Sequence, residues 1–423
     1  MTPEEVLRSV FDCAVQAALP SKLVPQYLPK TDAPLVVIGA GKASAAMAAA
    51  VEANAHGPLS GLVITRYDHA VPCKHIEIVE AAHPVPDAAG AMAATRMLGL
   101  LEALGPDQHV LALISGGGSA LLTLPPKGVS GAAAEDMNRA LLASGASIDE
   151  MNCLRRHLSH TAGGRLAAAA HPAPVTTLMI SDVPGDNPVH IASGPTVADP
   201  TTLEDARAVV AKYSLDLPPE ITDALNDPAQ ESVKPGDPRL AGGRVHMIAT
   251  PRAALTAAAA RAGELGLDPI LQGDALEGEA RVLGAELAIK ALAHQAQLAP
   301  HDRPAIMLSG GETTVTLPRD GRALGRGGRN VDFLLGLAGA LNGAPGIWAC
   351  AADTDGVDGL EEVAGAIVTP DTLARASRQL HHAALDRYDG HGFFETLGDQ
   401  IITGPTLTNV NDFRAILIHP RPL

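Results

Sequence analysis

Short aliphatic or β-branched runs, most of them ending at glycine or aspartate, alternate along this chain with alanine- and leucine-rich helical patterns. The runs lie at 35–38, 61–65, 75–79, 110–114, 175–180, 245–249, 305–308 and 347–351, and helical patterns such as 43–53 and 88–104 fall between several of them. Alternation of this kind is the signature of right-handed βαβ crossovers and a parallel sheet. The expected fold class is therefore α/β, with Rossmann-like, mostly parallel sheets flanked by helices, and ligand loops at the carboxyl ends of the strands. A chain of 423 residues is too long for one ordinary core, so two domains are expected. The segment 227–243, rich in proline, glycine and charge, is the candidate boundary and divides the chain into 1–235 and 240–423.

Several function classes are disfavoured by composition. A formal net charge of −16 argues against general affinity for nucleic acid or anionic membrane, while leaving room for a local basic site. Cys13, Cys73, Cys153 and Cys350 lie far apart, without a CxxC pair or metal-ligand spacing, and read as free thiols in a reducing cytoplasm. Residues 1–19 read as an amphipathic helix carrying Glu4, Glu5, Arg8 and Asp12, not as a signal peptide. No apolar run approaches the length of a membrane span, so a soluble cytoplasmic protein is expected.

The chemistry is concentrated in glycine-rich and acidic loops that follow the strand runs. After the first run comes Gly39-Ala40-Gly41-Lys42-Ala43-Ser44, where Gly39 and Gly41 permit a sharp turn and the helix start offers N–H groups to an anion. Ser44 replaces the third glycine of a dinucleotide fingerprint, and Thr65-Arg66 stand where a ribose-binding acid would be. An arginine there suits a 2′-phosphate, so NADPH stays open. Lys42 places a cation at the anion site, which phosphoryl transfer uses and hydride transfer does not. After 110–114 come Ser115, Gly116, Gly117, Gly118 and Ser119, a backbone nest for phosphate oxygens, in which Ser119 could instead cap the next helix.

Three further loops carry candidate groups. Asp182, Asp186 and Asn187 follow 175–180 around a Pro-Gly turn, and Ser193-Gly194-Pro195 makes a second turn. Gly310, Gly311 and Glu312 follow 305–308, and Gly325-Arg326-Gly327-Gly328-Arg329-Asn330 presents two guanidinium groups on backbone that could hug a carboxylate or phosphate. Asp353, Asp355 and Asp358 alternate with small residues after 347–351, where they could hold Mg²⁺ or orient a hydroxyl. Arg155 lies on a basic helix face and could reach an anion or pair on the surface, while Thr406 and Asn409 sit in a polar tail loop suited to substrate oxygens. His83-Pro84-Val85-Pro86-Asp87 reads as structural, stiffened by its prolines.

Taken together, GAGKAS, HPVPD, SGGGSALL, RRHLS, SDVPGDNPVHIASGPTVADPTT, SGGETTV, GRGGRN, DTDGVDG and TGPTLTNVND resemble, in order and over nearly the whole chain, the class II glycerate kinases. That family carries a C-terminal MOFRL domain, and its members have often been named hydroxypyruvate reductase. The resemblance implies an N-terminal Rossmann-like glycerate kinase domain over 1–235, a MOFRL-type α/β domain over 240–423, and an active site in the inter-domain cleft. It implies a kinase using ATP and Mg²⁺, with Lys42 and Arg329 facing the transferring phosphoryl group. Asp182, Asp186, Asp353 or Asp355 would then supply the base and the Mg²⁺ ligands. Small molecules, glycerate and ATP, are the expected partners, without nucleic acid or membrane, and a homodimer is compatible with the sequence. The rival readings are an NAD(P)H-dependent hydroxypyruvate reductase and a non-enzymatic sugar-acid binding protein.

Overall fold

A computed structural model describes residues 1–318 and 320–421. The chain forms two compact units, one of Pro20–Ser181 with Asp186–Ile248, the other of Met1–Leu19, Asp182–Gly185 and Ala249–Leu423.

The first unit is built on β1 (Leu35–Ala40), β2 (Leu59–Arg66), β3 (Ile76–Ala81), β4 (His109–Ile114), β5 (Val175–Ile180) and β6 (Arg244–Ala249), in the order β3-β2-β1-β4-β5-β6. The pairings of β1 with β2 and β4, of β2 with β3 and of β4 with β5 are parallel, as strand–helix alternation requires. β1 and β5 are buried along their whole length, which is what helices on both faces of a parallel sheet produce. Helix Ser44–Asn54 begins directly after the turn that follows β1, and helix Gly118–Leu121 opens within the glycine run after β4. A satellite helical core gathers Met137, Leu141, Leu154, Leu203, Ile221 and Leu225.

The second unit departs from the expected mostly parallel sheet. Its strands are β7 (Asp268–Gly273), β9 (Ala305–Gly311), β11 (Ile347–Asp353), β12 (Gly365–Val368), β13 (Gln400–Ile401) and β14 (Asp412–Ile418), ordered β13-β12-β11-β14-β9-β7; β8 (Gly278–Glu279) and β10 (Thr313–Thr314) form a separate short pair. β7 and β9 are parallel, but β14 returns between β9 and β11 antiparallel to both, and β12 is antiparallel to β11 and β13. Inserting the last strand into the middle of the sheet makes it mixed. Its core gathers Phe333, Leu334, Leu337, Ile347, Phe393, Phe394 and Ile416.

The division also differs from 1–235 and 240–423. β6 adds to the edge of the first sheet beside β5, which moves the boundary to Ile248. The N-terminal helix, Pro3–Ala17, belongs with the C-terminal unit: its Phe11 ring lies 5.7 Å from Phe413, and Cys13 Sγ reaches the Ala257 carbonyl at 3.5 Å. Burying Leu7, Val10, Phe11 and Ala14 on that unit is the hydrophobic gain that fixes the helix there. Among the described residues no helix is long and apolar enough to cross a membrane.

Candidate active-site residues and the family

In the first unit the two glycine loops are stitched to one another. The Lys42 N–H donates to the Gly116 carbonyl at 2.9 Å, the Ala43 N–H to Ser115 Oγ at 3.1 Å, and the Ser44 N–H to the Gly41 carbonyl at 3.2 Å. Ser44 Oγ donates to the Leu113 carbonyl at 3.0 Å and lies 3.1 Å from Ser115 Oγ, with both serines fully buried. The N–H groups expected to face an anion at this turn are therefore used inside the protein, and the hydroxyl at Ser44 does what a third glycine could not. Lys42 itself is half-buried. A Cβ added at Gly117, where φ is +81°, would lie 3.0 Å from the His83 ring and 3.4 Å from Lys42 Cγ, so His83 and the Lys42 stem both border this loop. Ser119 Oγ meets Ser193 Oγ at 2.8 Å, and Ala192 and Ser193 hold φ values of 50° and 61°, a strained left-handed pair of the kind found at functional sites.

In the second unit Arg329 opens helix Arg329–Leu341 and turns into a carboxylate cluster. Its guanidinium bonds Glu312, Asp353 at 3.0 Å and Asp412 at 3.5 Å. Burial works against this charge, but Asp412, Asp353, Glu312 and Asp358 together outweigh it and hold the Arg329 pKa above its ordinary value. Asp412 also accepts from Asn330 Nδ2 at 2.8 Å and from Arg414 Nη2 at 2.7 Å. Burial pulls the Arg414 pKa down, against the opposing pull of Asp412. Asp358 accepts the N–H groups of Asn330 and Val331, both at 3.0 Å. Its pKa is raised by burial. Asp182, on a loop of the same unit, accepts from Asn409 Nδ2 at 3.2 Å through its carboxylate and from Asn411 Nδ2 at 2.9 Å through its carbonyl.

Residues 6–226 match a domain family of unknown function (DUF4147), and residues 305–412 match the MOFRL family. A D-glycerate 2-kinase of Thermotoga maritima is 37% identical over 404 residues, which cover 94% of each chain. The crystal structure of a glycerate kinase from that organism superposes with a TM-score of 0.87 at 35% identity, covering 98% of this chain and 99% of that one. An Agrobacterium vitis protein with the provisional name hydroxypyruvate reductase is 52% identical over 99% of this chain and 95% of its own. The chain belongs to the glycerate 2-kinase family with a MOFRL domain. It is an enzyme of the kinase class.

Of the residues that the sequence marked out in this kinase, the first unit brings together Lys42, Ser115–Ser119 and Ser193. The second brings together Asp182 with Asn409, and Arg329 with Glu312, Asn330 and Asp353. Other candidates have partners within the protein. Ser115 is a fastener between loops, because its hydroxyl is spent on Ala43 and Ser44. Gly310 and Gly311 end β9 rather than lining an open loop, and the Gly310 carbonyl accepts the Leu276 N–H at 3.0 Å. Arg326 pairs outward with Glu361 and Glu395, so the glycine-arginine segment supplies one inward guanidinium rather than two. Arg155 donates to Asn138 Oδ1 at 3.0 Å and Asn152 Oδ1 at 3.4 Å, and burial lowers its pKa. Asn187 Oδ1 closes its own turn on the Val189 N–H at 3.1 Å, while Asp186 takes the left-handed region at φ 54°. Thr406 Oγ1 bonds the Thr354 carbonyl at 2.5 Å within the tail loop.

The three acids after β11 have separate jobs. Asp353 takes Arg329 with one oxygen and the Asp355 N–H at 3.1 Å with the other, Asp355 Oδ1 accepts the Val357 N–H at 2.9 Å, and Asp358 caps the helix. Among the described residues no group of three or more His, Cys, Asp or Glu is placed to hold a metal ion. Sequence reasoning did not single out Asp412, Arg414 or Ser44 as members of these clusters. Asp412 and Arg414 were visible only as the end of TNVND and the start of an unmarked strand. Ser44 was visible only as a departure from a glycine pattern.

Proposed function

We propose that this enzyme transfers the γ-phosphoryl group of ATP to the 2-hydroxyl of D-glycerate, giving 2-phospho-D-glycerate and ADP. Full-length likeness to a D-glycerate 2-kinase carries the reading, and the placement of Lys42 beside the Gly116–Ser119 loop supports it physically. The 2-hydroxyl oxygen attacks the γ-phosphorus while the bond to the β,γ-bridging oxygen breaks, and the hydroxyl proton passes to the Asp182 carboxylate. Lys42 and Arg329 stabilise charge on the transferring group, which is the main help that phosphoryl transfer needs. The Gly116–Ser119 loop serves an anionic group, phosphate or the glycerate carboxylate.

Arg329 must exchange a partner to do this. Glu312 is the exposed member of its cluster, with 54% of its side chain accessible against 2% for Asp353, so it yields first to an arriving anion. Mg²⁺ bound to the nucleotide would supply neutralisation of phosphate charge. Asp353 and Asp355 do not form a protein cage for it, since Asp353 is already divided between Arg329 and a backbone N–H. We infer that the enzyme acts on small molecules in the cytoplasm.

The reductase reading is favoured by the provisional name of the Agrobacterium relative and by the strand–glycine–helix start at β1. It is opposed by the closed state of that turn. A dinucleotide pyrophosphate would need the N–H groups that Gly116, Ser115 and Gly41 already take. ADP release that depends on D-glycerate, followed with a coupled assay, tests the kinase reading; no ADP above the glycerate-free rate would reject it.

A further inference from the structure

We propose that Asp358 is a positioning residue for Arg329, acting on the reaction by holding the first turn of helix Arg329–Leu341 rather than by touching substrate or metal. The inference rests on the role given above to Arg329. That residue is the first of its helix, and the next two N–H groups are the ones Asp358 clamps: Oδ1 takes Asn330 N–H and Oδ2 takes Val331 N–H, each at 3.0 Å. These are orphan donors of a helix start, and the residue that would normally cap them is Gly328, which has no side chain to do so. The cap therefore comes from a distant loop, and its negative charge also suits the positive end of the helix dipole.

Gly328 is what makes room for it. A Cβ at that position would lie 2.2 Å from Asp358 Oδ2. From the other side His391, fully buried on helix Gly390–Leu397, reaches the Asp358 carbonyl with Nε2 at 3.0 Å and lies 3.6 Å from Oδ2. Asp358 is itself fully buried, so its effect on chemistry must pass through the groups it holds. A residue fixed at both ends in this way sets where the Arg329 side chain leaves the helix. A displacement on the order of 1 Å at such a position can cost up to a hundredfold in rate.

The test is a double-mutant cycle on kcat and KM with D-glycerate and ATP, with circular dichroism confirming the fold. Its members are wild type, Arg329→Ala, Asp358→Asn and the double variant. Asp358→Asn keeps the side-chain size but turns an NH₂ toward a backbone N–H. Expected is a fall in kcat of about tenfold or more with KM for ATP within about twofold, and no further fall when the change is added to Arg329→Ala. If Asp358→Asn does not fold, Gly328→Ala displaces the same carboxylate and takes its place in the cycle. Losses that multiply in the double variant, or wild-type kcat in a folded Asp358→Asn, overturn this proposal while Arg329 keeps its role. Wild-type kcat in Arg329→Ala overturns both.

Discussion

Replacing Ser115 by alanine separates two accounts of the SGGGS loop. If Ser115 is a fastener, the substitution strands the buried Ala43 N–H, now 3.1 Å from its acceptor, and removes the partner that lies 3.1 Å from Ser44 Oγ. An unsatisfied buried N–H costs about 1–3 kcal/mol and a lost neutral hydrogen bond about 1, so the unit should lose about 2–4 kcal/mol. For a unit of this size that corresponds to a fall in Tm of about 5–15 °C. Thermal unfolding followed by circular dichroism reads it directly, and steady-state kinetics on the same protein reads the site. The neighbouring loop that Ser115 fastens carries Lys42, so kcat should fall with the stability. An unchanged Tm together with a raised KM for glycerate or ATP would refute the argument, because it would mean the hydroxyl meets ligand rather than the neighbouring loop.

Lys42→Ala should lower kcat by about 10²–10³ with Tm close to that of wild type, the loss typical of one preorganised transition-state donor. Normal turnover by the folded variant would remove Lys42 from the mechanism. Asp199→Asn should cost about 3–5 kcal/mol in denaturant unfolding, because Arg156, paired with Asp199 at 3.0 Å and only 2% exposed, would keep its charge without a carboxylate. Burial opposes the Asp199 charge, but Thr201, Arg156 and Ser232 outweigh it and lower its pKa. That contribution is present above the unfolded carboxylate value, about 3.9, and is lost as pH falls through the lower folded value. Wild type should thus lose stability in that acid window, while Asp199→Asn lacks this part of the loss; parallel curves for the two proteins would contradict the assignment.

The first sheet was readable because parallel strands buried on both faces leave continuous aliphatic runs: four of the five runs from 35–38 to 175–180 fall within β1, β2, β4 and β5, and 75–79 overlaps β3 from one residue before its start. The second sheet was less so. β7 is Asp-Pro-Ile-Leu-Gln-Gly and partly exposed, β13 has only two residues, and β14 opens on Asp-Phe-Arg, so that its aliphatic run is confined to Ala415–Ile418 at the end of a polar tail. Strand direction leaves no mark on periodicity, so the antiparallel insertion of β14 could not be read in advance. For the site, motif chemistry pointed at Lys42 and Arg329 but not at what holds them. Asp353, Asp355 and Asp358 look alike as residues in an acidic turn, and only the direction of each oxygen distinguishes an ion-pair partner from a turn closer or a helix cap. The same is true of Ser44, whose meaning depends on Ser115 from another loop lying 3.1 Å away.

The central claim is the reaction itself, and product identity tests it most directly. The purified enzyme with D-glycerate, ATP and Mg²⁺ should yield ADP and 2-phosphoglycerate, resolved from 3-phosphoglycerate by phosphorus NMR, with no oxidation of NADH or NADPH when hydroxypyruvate is supplied. Nicotinamide oxidation without a phosphorylated product would contradict the account and return the β1 turn to a dinucleotide.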